Sequence, residues 1–338
     1  MCQQKENKKM KKIAIVAGGY SGEAEISFNS AKVVEKYLDK NTYELTKVWI
    51  DKNGWFVKND GEEDIAIDKN DFSYLKNGAK YVFDAVFIIV HGTPGEDGKL
   101  QGYFDMIDMP YTGSNAIVSS MLFHKYFINK TVKDLDVVEL AKSICVKDAE
   151  QESIDFLNKE LKLPCFVKPM KGGSSIGMTK VSEAKDMQRA VVIALKEDDE
   201  VLVEEFIDGT EVSCGIFMHK EKKIVLPLTE IRTQNEFFDY EAKYIKGMAE
   251  EITPAPIDKE TFEKVQDVSS FLYDEIGCEG IVRFDYIFNE KGIYFLEVNT
   301  VPGMSEASIV PQQAAELGID LSAFFTMLIE DMFYRKKK

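Results

Sequence analysis

The chain has 338 residues, 45% hydrophobic and 30% charged, enough to bury a sizeable core in two or three lobes. Its 42 basic and 58 acidic residues give a formal charge of 42 − 58 = −16; a surface that negative repels nucleic acid and anionic membrane, and an anionic substrate would need a locally basic pocket. Five widely spaced cysteines without a C-x-x-C pair, and no apolar run of spanning length, point to the cytoplasm rather than to a disulfide-bonded, zinc-knotted or membrane protein.

Residues 1–9 are polar and are expected to be disordered, with Met10 as a natural start. Ile13 to Ala17 is a short apolar run ending in Gly18-Gly19-Tyr20-Ser21-Gly22, and Ile26, Ser30, Val33, Val34 and Tyr37 then recur at helical spacing. This is strand, glycine turn, helix, but G-x-G-x-x-G is not matched, which argues against a nicotinamide site. Glu23 and Glu25 fall at the start of the helix, where the dipole favours a carboxylate that either caps or grips a ligand ammonium group. Glu44 to Ile50 and Phe83 to Val90 are further strands. The second is almost continuously apolar, as in a central strand covered on both sides, and it runs into a glycine-rich loop, 91–98, that begins with His91. Open α/β sheets bind ligands at this end of their strands. The pattern from Asn115 to Lys133 is one helix containing Lys125.

Glu150 to Leu161 is a helix, and Cys165 to Lys168 a strand entering Pro169-Met170-Lys171-Gly172-Gly173-Ser174-Ser175-Ile176-Gly177. Glycines there let backbone N–H groups approach phosphate oxygens. The loop almost fits G-x-x-x-x-G-K-[ST], with Met178 in the Lys position, so the charge must come from Lys168 or Lys171 and the loop is a phosphate-covering flap rather than a P-loop. The same stretch spells G-x-S-x-G. A rival serine hydrolase would use Ser175 with His219, but the residues after the loop look like a strand, whereas that elbow needs a helix. A helix follows around Ala184 to Leu195, then strands at Val201 to Phe206, Glu211 to Phe217 and Lys223 to Ile231, with Asp208-Gly209 as a hinge. The long irregular stretch 234–253 has the length of a functional lid. Phe262, Val265, Ser269, Leu272 and Ile276 mark an amphipathic helix, and helices from Ile309 and Leu321 close the chain.

Between them lies a hairpin, Ile281 to Asn299, turning at Asn289-Glu290-Lys291-Gly292. A three-residue loop ending in a left-handed Gly292 pairs Asp285 with Glu297 and Arg283 with Asn299; a two-residue loop at Glu290-Lys291 shifts the register by one and puts Asp285 on the opposite face. In the first register two carboxylates and an amide crowd one patch beside an arginine. Such hard oxygen donors suit Mg²⁺ carrying a polyphosphate. The plainer alternative is a solvated edge strand.

Taken in order, GGYSGEAEIS (18–27), HGTPGEDGKLQG (91–102), PYTGS (110–114), VKPMKGGSSIGM (167–178), FFDYEAKY (237–244), VRFDY (282–286) and LEVNTVPGM (296–304) make the chain resemble the D-alanine:D-alanine ligases of the ATP-grasp superfamily, from Met10 to Phe333. The resemblance implies an N-terminal open α/β domain (10–113) followed by an ATP-grasp fold of two α+β lobes (114–204 and 205–338). It also implies an ATP-dependent ligase that forms D-alanyl-D-alanine through a D-alanyl phosphate for peptidoglycan synthesis. By the same resemblance Lys125, Lys168 and Lys243 meet ATP phosphates, Glu204, Glu205, Phe206 and Ile207 the adenine edge, and Glu211 the ribose. Asp285, Glu297 and Asn299 hold two Mg²⁺ ions, for which Mn²⁺ can substitute. Glu25 binds the first D-alanine's ammonium group with Ser174 and Tyr244 as its hydrogen-bond partners, and His91 lies close by. Arg283 and the Gly303 N–H stabilise the oxyanion, and Ser308 and Ile309 bind the second carboxylate. Glu241 to Tyr244 match the dipeptide ligases rather than the D-lactate enzymes, although D-serine or D-lactate remains the alternative acceptor. Relatives imply a homodimer.

Overall fold

The computed structural model describes residues 10–58, 61, 63–233 and 249–337. The expected disorder of residues 1–9 lies outside them, as do Lys243 and Tyr244 of the lid.

The N-terminal sheet is built around β1 (Lys11–Gly18), whose interior is fully buried. After α1 (Ala24–Tyr37), β2 (Tyr43–Asp51) returns parallel to β1, and β3 (Gly54–Val57) and β4 (Ile65–Ala66) extend that edge antiparallel. β5 (Tyr74–Lys76) and β6 (Ala79–Tyr81) form a separate hairpin, and β7 (Ala85–Ile88) lies parallel on the other side of β1. The carboxyl ends of β1 and β7 therefore present the 18–22 and 91–98 loops side by side. Buried Ser27 ties them, accepting from Gly18 N (2.8 Å) and donating to Ile89 O (2.6 Å). Gly18 has φ +102°, and a Cβ there would stand 2.3 Å from Ile50 O, so only glycine fits the turn.

α2 (Lys99–Met106) follows the second loop. The expected helix from Asn115 to Lys133 is two helices, α3 (Ala116–Phe123) and α4 (Lys125–Leu135), broken at His124, whose ψ of 100° is extended. Asn115 caps α3 through Val118 N, which defines its start.

A four-stranded antiparallel sheet comes next, ordered β10-β9-β11-β8, from β8 (Ser143–Val146), β9 (Cys165–Pro169), β10 (Thr179–Val181) and β11 (Val201–Glu205), with α5 (Gln151–Glu160) and α6 (Met187–Ala194) packed on one side. The flap connects β9 to β10. It leads into a strand, so the local geometry is not that of a serine-hydrolase elbow.

The third sheet comprises β12 (Thr210–His219), β13 (Lys222–Val225), β14 (Thr229–Thr233), β15 (Ala249–Ile252), β16 (Ile281–Asn289) and β17 (Gly292–Asn299), ordered β15-β14-β12-β16-β17, with β13 also on β12. The single strand expected over Lys223 to Ile231 is interrupted at Leu226-Pro227-Leu228. Proline cannot donate to a ladder, and β12 changes partner there, pairing β14 over Glu211 to Ser213 and β13 over Ile216 to His219. α7 (Lys259–Ile276), capped by Asp258 through Thr261 N, buries Val265, Ser269, Leu272 and Ile276 against Val212, Cys214, Val282, Phe284 and Tyr286. Each large apolar side chain buried there contributes roughly 1.5–3 kcal/mol.

α8 (Ile309–Glu316) and α9 (Leu321–Arg335) end the chain. Phe324, Phe325, Leu328 and Ile329 of α9 join Ile13, Ile15 and Phe87 of the first sheet and Phe217 of β12 in one core, so the last helix locks the first and third sheets together. Cys165, Cys214 and Cys278 are buried and Cys145 half-buried, all as free thiols. Among the described residues no helix is long and apolar enough to cross a membrane.

Candidate active site

The hairpin reaches the expected pairing by an unexpected route. Asn289 pairs with Gly292 across a two-residue turn, the geometry that by itself puts Asp285 on the wrong face. A β-bulge between Asp285 and Tyr286 restores the register, so Asp285 pairs with Glu297 and Arg283 with Asn299. Leu296 is the extra residue, and both Leu296 and Glu297 face Asp285 and line the cleft.

One face of the third sheet thus carries Glu211, Ser213, Glu251, Arg283, Asp285, Glu297 and Asn299, by the two-residue period and the strand registers; the other face is the core against α7. Asp285 is only 4% exposed. It is fully met by donors: Arg283 Nε (2.8 Å) and Nη2 (2.7 Å), Asn299 Nδ2 (2.9 Å) and the Ser213 hydroxyl (2.6 Å). Burial alone would lower the Arg283 pKa, but the Asp285 carboxylate, with Glu297 and Glu251 behind it, raises it. The donor set is all oxygen, two carboxylates and an amide with no sulfur or imidazole, and it fits a hard divalent cation. Among the described residues no three His, Cys, Asp or Glu side chains gather into a complete metal cage, so further ligands would come from a bound polyphosphate.

Opposite this face stands the flap, and between the second and third sheets opens a cleft of about 570 Å³. Lys125, Lys168, Glu204, Phe206, Ile207, Glu211, Ser174, Arg283, Asp285 and Glu297 all line it, with Phe166, Met178, Ile231 and Leu296 as apolar wall. Lys125 Nζ donates to Gly172 O (2.7 Å) and holds the flap's base. Lys168, on β9, is hydrogen-bonded to Glu204 of β11. Two of the side chains expected near the cleft turn away from it. The Glu205 side chain accepts from Lys162 N (2.9 Å) and does not line the main cleft, since it alternates with Glu204 along β11. Lys171 is bound to Asp198 (3.1 Å) and Asp199 (3.3 Å), leaving Lys168 and Lys125 as the cleft's lysines among the described residues.

At the far end of the flap, Ser174 donates to a glutamate 2.5 Å away, and that residue is Glu23, not Glu25. Glu25 points to solvent from the first turn of α1, whereas Glu23 is buried and makes no capping bond. Helical phase decides it: Glu23 precedes the buried row Ser27, Ser30 and Val34, and Glu25 the exposed Asn29 and Lys32. Ser174 and Ser175 have φ of 51° and 58°, an αL pair unusual for non-glycine residues.

His91 is buried beside this pair. Its Nδ1 lies 2.8 Å from Val301 O and its Nε2 meets no partner among the described residues. Burial lowers its pKa, against the opposing pull of the Glu23 charge and the Val301 carbonyl. Glu96, missed in the sequence, binds Gly92 N (2.8 Å) and Val301 N (3.1 Å) and so joins the 91–98 loop to the segment after the hairpin. Burial, and then the nearby Glu23 charge, push its carboxyl up to about 8. Gly303 adjoins Ser308, where a Cβ would lie 2.8 Å from the hydroxyl oxygen, and Ser308 is the N-cap of α8, directly before Ile309. The rival His219 sits at the end of β12, bound to Glu330 of α9 at 2.9 Å.

Two family models match the chain, D-ala D-ala ligase N-terminus over residues 12–114 and D-ala D-ala ligase C-terminus over residues 132–330. The D-alanine–D-alanine ligase of Azobacteroides pseudotrichonymphae genomovar. CFP2 is 46% identical over 96% of this chain and 100% of its own length. Among solved structures, the VanG D-Ala:D-Ser ligase from Enterococcus faecalis superposes with a TM-score of 0.85 at 30% identity, covering 96% of this chain and 100% of that one. The D-alanine–D-alanine ligase from Bacillus anthracis complexed with ATP gives 0.76 at 30% identity over 97% and 98%. Both halves of the architecture and the greater part of the sequence are accounted for by these matches, and the chain belongs to the D-ala D-ala ligase family.

Proposed function

We propose that the protein joins two D-alanine molecules into D-alanyl-D-alanine at the expense of ATP, through a D-alanyl phosphate, releasing ADP and phosphate for peptidoglycan synthesis. The observation that carries this is the meeting of flap and acid-bearing sheet face around one cleft, with Glu23 held against the flap by Ser174. A carboxylate is a poor electrophile until phosphorylated, which is what the nucleotide contributes. The apolar wall of Phe206, Ile207, Met178 and Leu296 suits a planar base, while Lys125, Lys168 and the flap's backbone suit its phosphates; Glu211 would meet the ribose.

Asp285, Glu297 and Asn299 would hold Mg²⁺ or Mn²⁺, which when bound would disperse charge on the transferring phosphoryl group. Glu23, oriented by Ser174, would take the first ammonium group beside His91. Arg283 and the Gly303 N–H would stabilise the oxyanion formed as the second amine attacks, and Ser308 with the N-terminus of α8 at Ile309 would receive the second carboxylate. Arg283 would exchange part of its hold on Asp285 for that oxyanion. The free thiols fit a reducing cytoplasm, and the family likeness supports a homodimer, which light scattering would test.

The deciding assay is ADP release with D-alanine, L-alanine, D-serine and D-lactate, with the product identified by mass. The absence of D-alanine-stimulated turnover would overturn the proposal. A D-alanyl-D-serine product would favour the acceptor named for the Enterococcus faecalis relative.

A further inference from the structure

The third sheet has a gap, and a side chain fills it. β12 leaves β14 after the Ser213–Thr229 pair and takes up β13 at Ile216, with Gly215 O accepting from Leu226 N (2.9 Å) in between; the break falls at Ser213 O and Gly215 N. The carboxamide of Gln313, from the middle of α8, takes that place: its Oε1 accepts from Gly215 N (3.0 Å) and its Nε2 donates to Ser213 O (2.9 Å) and Thr229 Oγ1 (3.1 Å). It behaves as one missing peptide unit of a β-ladder. The fit is close enough to dictate its neighbour, since a Cβ on Gly215 would come within 2.6 Å of Gln313 Oε1. Gln313 has no exposed surface.

The two ends of this bolt are chemically distinct. On β12, the Ser213 it grips is the residue whose hydroxyl donates to Asp285. On α8, Gln313 follows by little more than one turn the Ser308 N-cap and Ile309, the place proposed above for the acceptor's carboxylate. Neighbouring Gln312 binds Glu251 (3.2 Å) and Ala307 O (2.6 Å) and is partly exposed, so it trims the same helix from outside. A helix that only needed to cover the sheet could do so with an apolar residue at 313, at lower desolvation cost. The carboxamide instead sets one register of α8 along β12.

We propose that Gln313 is a positioning residue for the acceptor substrate: by completing the β12 ladder it holds the N-terminus of α8 at a fixed reach from Asp285 and Arg283, where the acyl group is attacked. This rests on the ligase function proposed above. Reacting groups must meet within a few tenths of an ångström, and small displacements remote from the chemistry cost large factors in rate.

The test is Gln313→Met, which keeps length and apolar volume but removes all three hydrogen bonds. The Michaelis constant for the second D-alanine should rise about tenfold or more, with that for ATP within twofold, and amide exchange of residues 312–315, starting with the Gln312 N–H that binds Ser308 O, should accelerate in the ligand-free protein. Gly215→Ala, which pushes a methyl group into the carboxamide, should show the same split and serves if the first variant does not fold. Should wild-type protein turn over D-alanine while both kinetic constants and amide exchange stay unchanged in a folded variant, the positioning role is refuted and the ligase function stands. If wild-type protein forms no ADP with D-alanine, the ligase function itself fails, and this inference with it.

Discussion

Exchanging either of two glutamates two residues apart for glutamine separates the geometry found here from the simplest reading of the motif. Glu23 is 7% exposed and receives the Ser174 hydroxyl at 2.5 Å; Glu25 is exposed and does not line the cleft among the described residues. In Glu23→Gln the amide oxygen can still accept from Ser174, but the negative charge that would face a substrate ammonium is gone. A hydrogen bond to a charged partner contributes about 1.5–3 kcal/mol, so first-site affinity should fall roughly ten- to a hundredfold, with the ATP constant little changed. Glu25→Gln exchanges one solvated group for another and should stay within twofold. Initial rates of ADP release against D-alanine measure both. A loss in Glu25→Gln with Glu23→Gln unaffected would refute the assignment, and with it the role given to the Ser174 contact.

Asp285→Asn should abolish ADP release while circular dichroism keeps its native form. It should also cost roughly 3–5 kcal/mol in urea unfolding, because Arg283 loses its buried counter-charge; full activity would remove the acid face from the mechanism. Glu96, pushed up from 4.5 to about 8, holds a proton in the folded state that it lacks unfolded between those values. Its stabilising effect is therefore complete below about pH 4.5 and is lost as pH rises through about 8, at most roughly 5 kcal/mol in all. Glu96→Gln should flatten that slope, and identical pH profiles of unfolding would count against it. Gly18→Ala should destabilise by at least about 2 kcal/mol, since φ +102° and the Ile50 carbonyl both oppose a methyl group; a change below about 0.5 kcal/mol would mean that the turn relaxes.

Much of this was legible because strongly patterned segments declare themselves. The strand into the first glycine turn, the flap between two strands and the amphipathic helix behind the hairpin were each marked by period and by glycine. What escaped was set by tertiary partners. Pro227 was visible inside an apolar run, yet only the sheet shows that β12 needs two partners on that edge. His124 breaks a run of good helical periodicity through its own backbone angle. Helical phase was available to choose Glu23 over Glu25, since one shares a face with Ser27 and the other with Asn29. Gln313 carried no motif signal, and Glu96 lay inside the 91–102 motif without declaring its role, because the bonds to Ser213 O and Val301 N join segments that are distant in sequence.

The one-residue irregularity in β17 also has a consequence for the nucleotide. A regular strand offers a ligand every second side chain, about 7 Å apart, so grease and charge on one face would ordinarily be separated by that interval. Doubling up at Leu296 and Glu297 sets a hydrocarbon surface directly against an anion. A ligand that is flat and oily at one end and cation-laden at the other can then turn from the first kind of contact to the second over a single peptide unit.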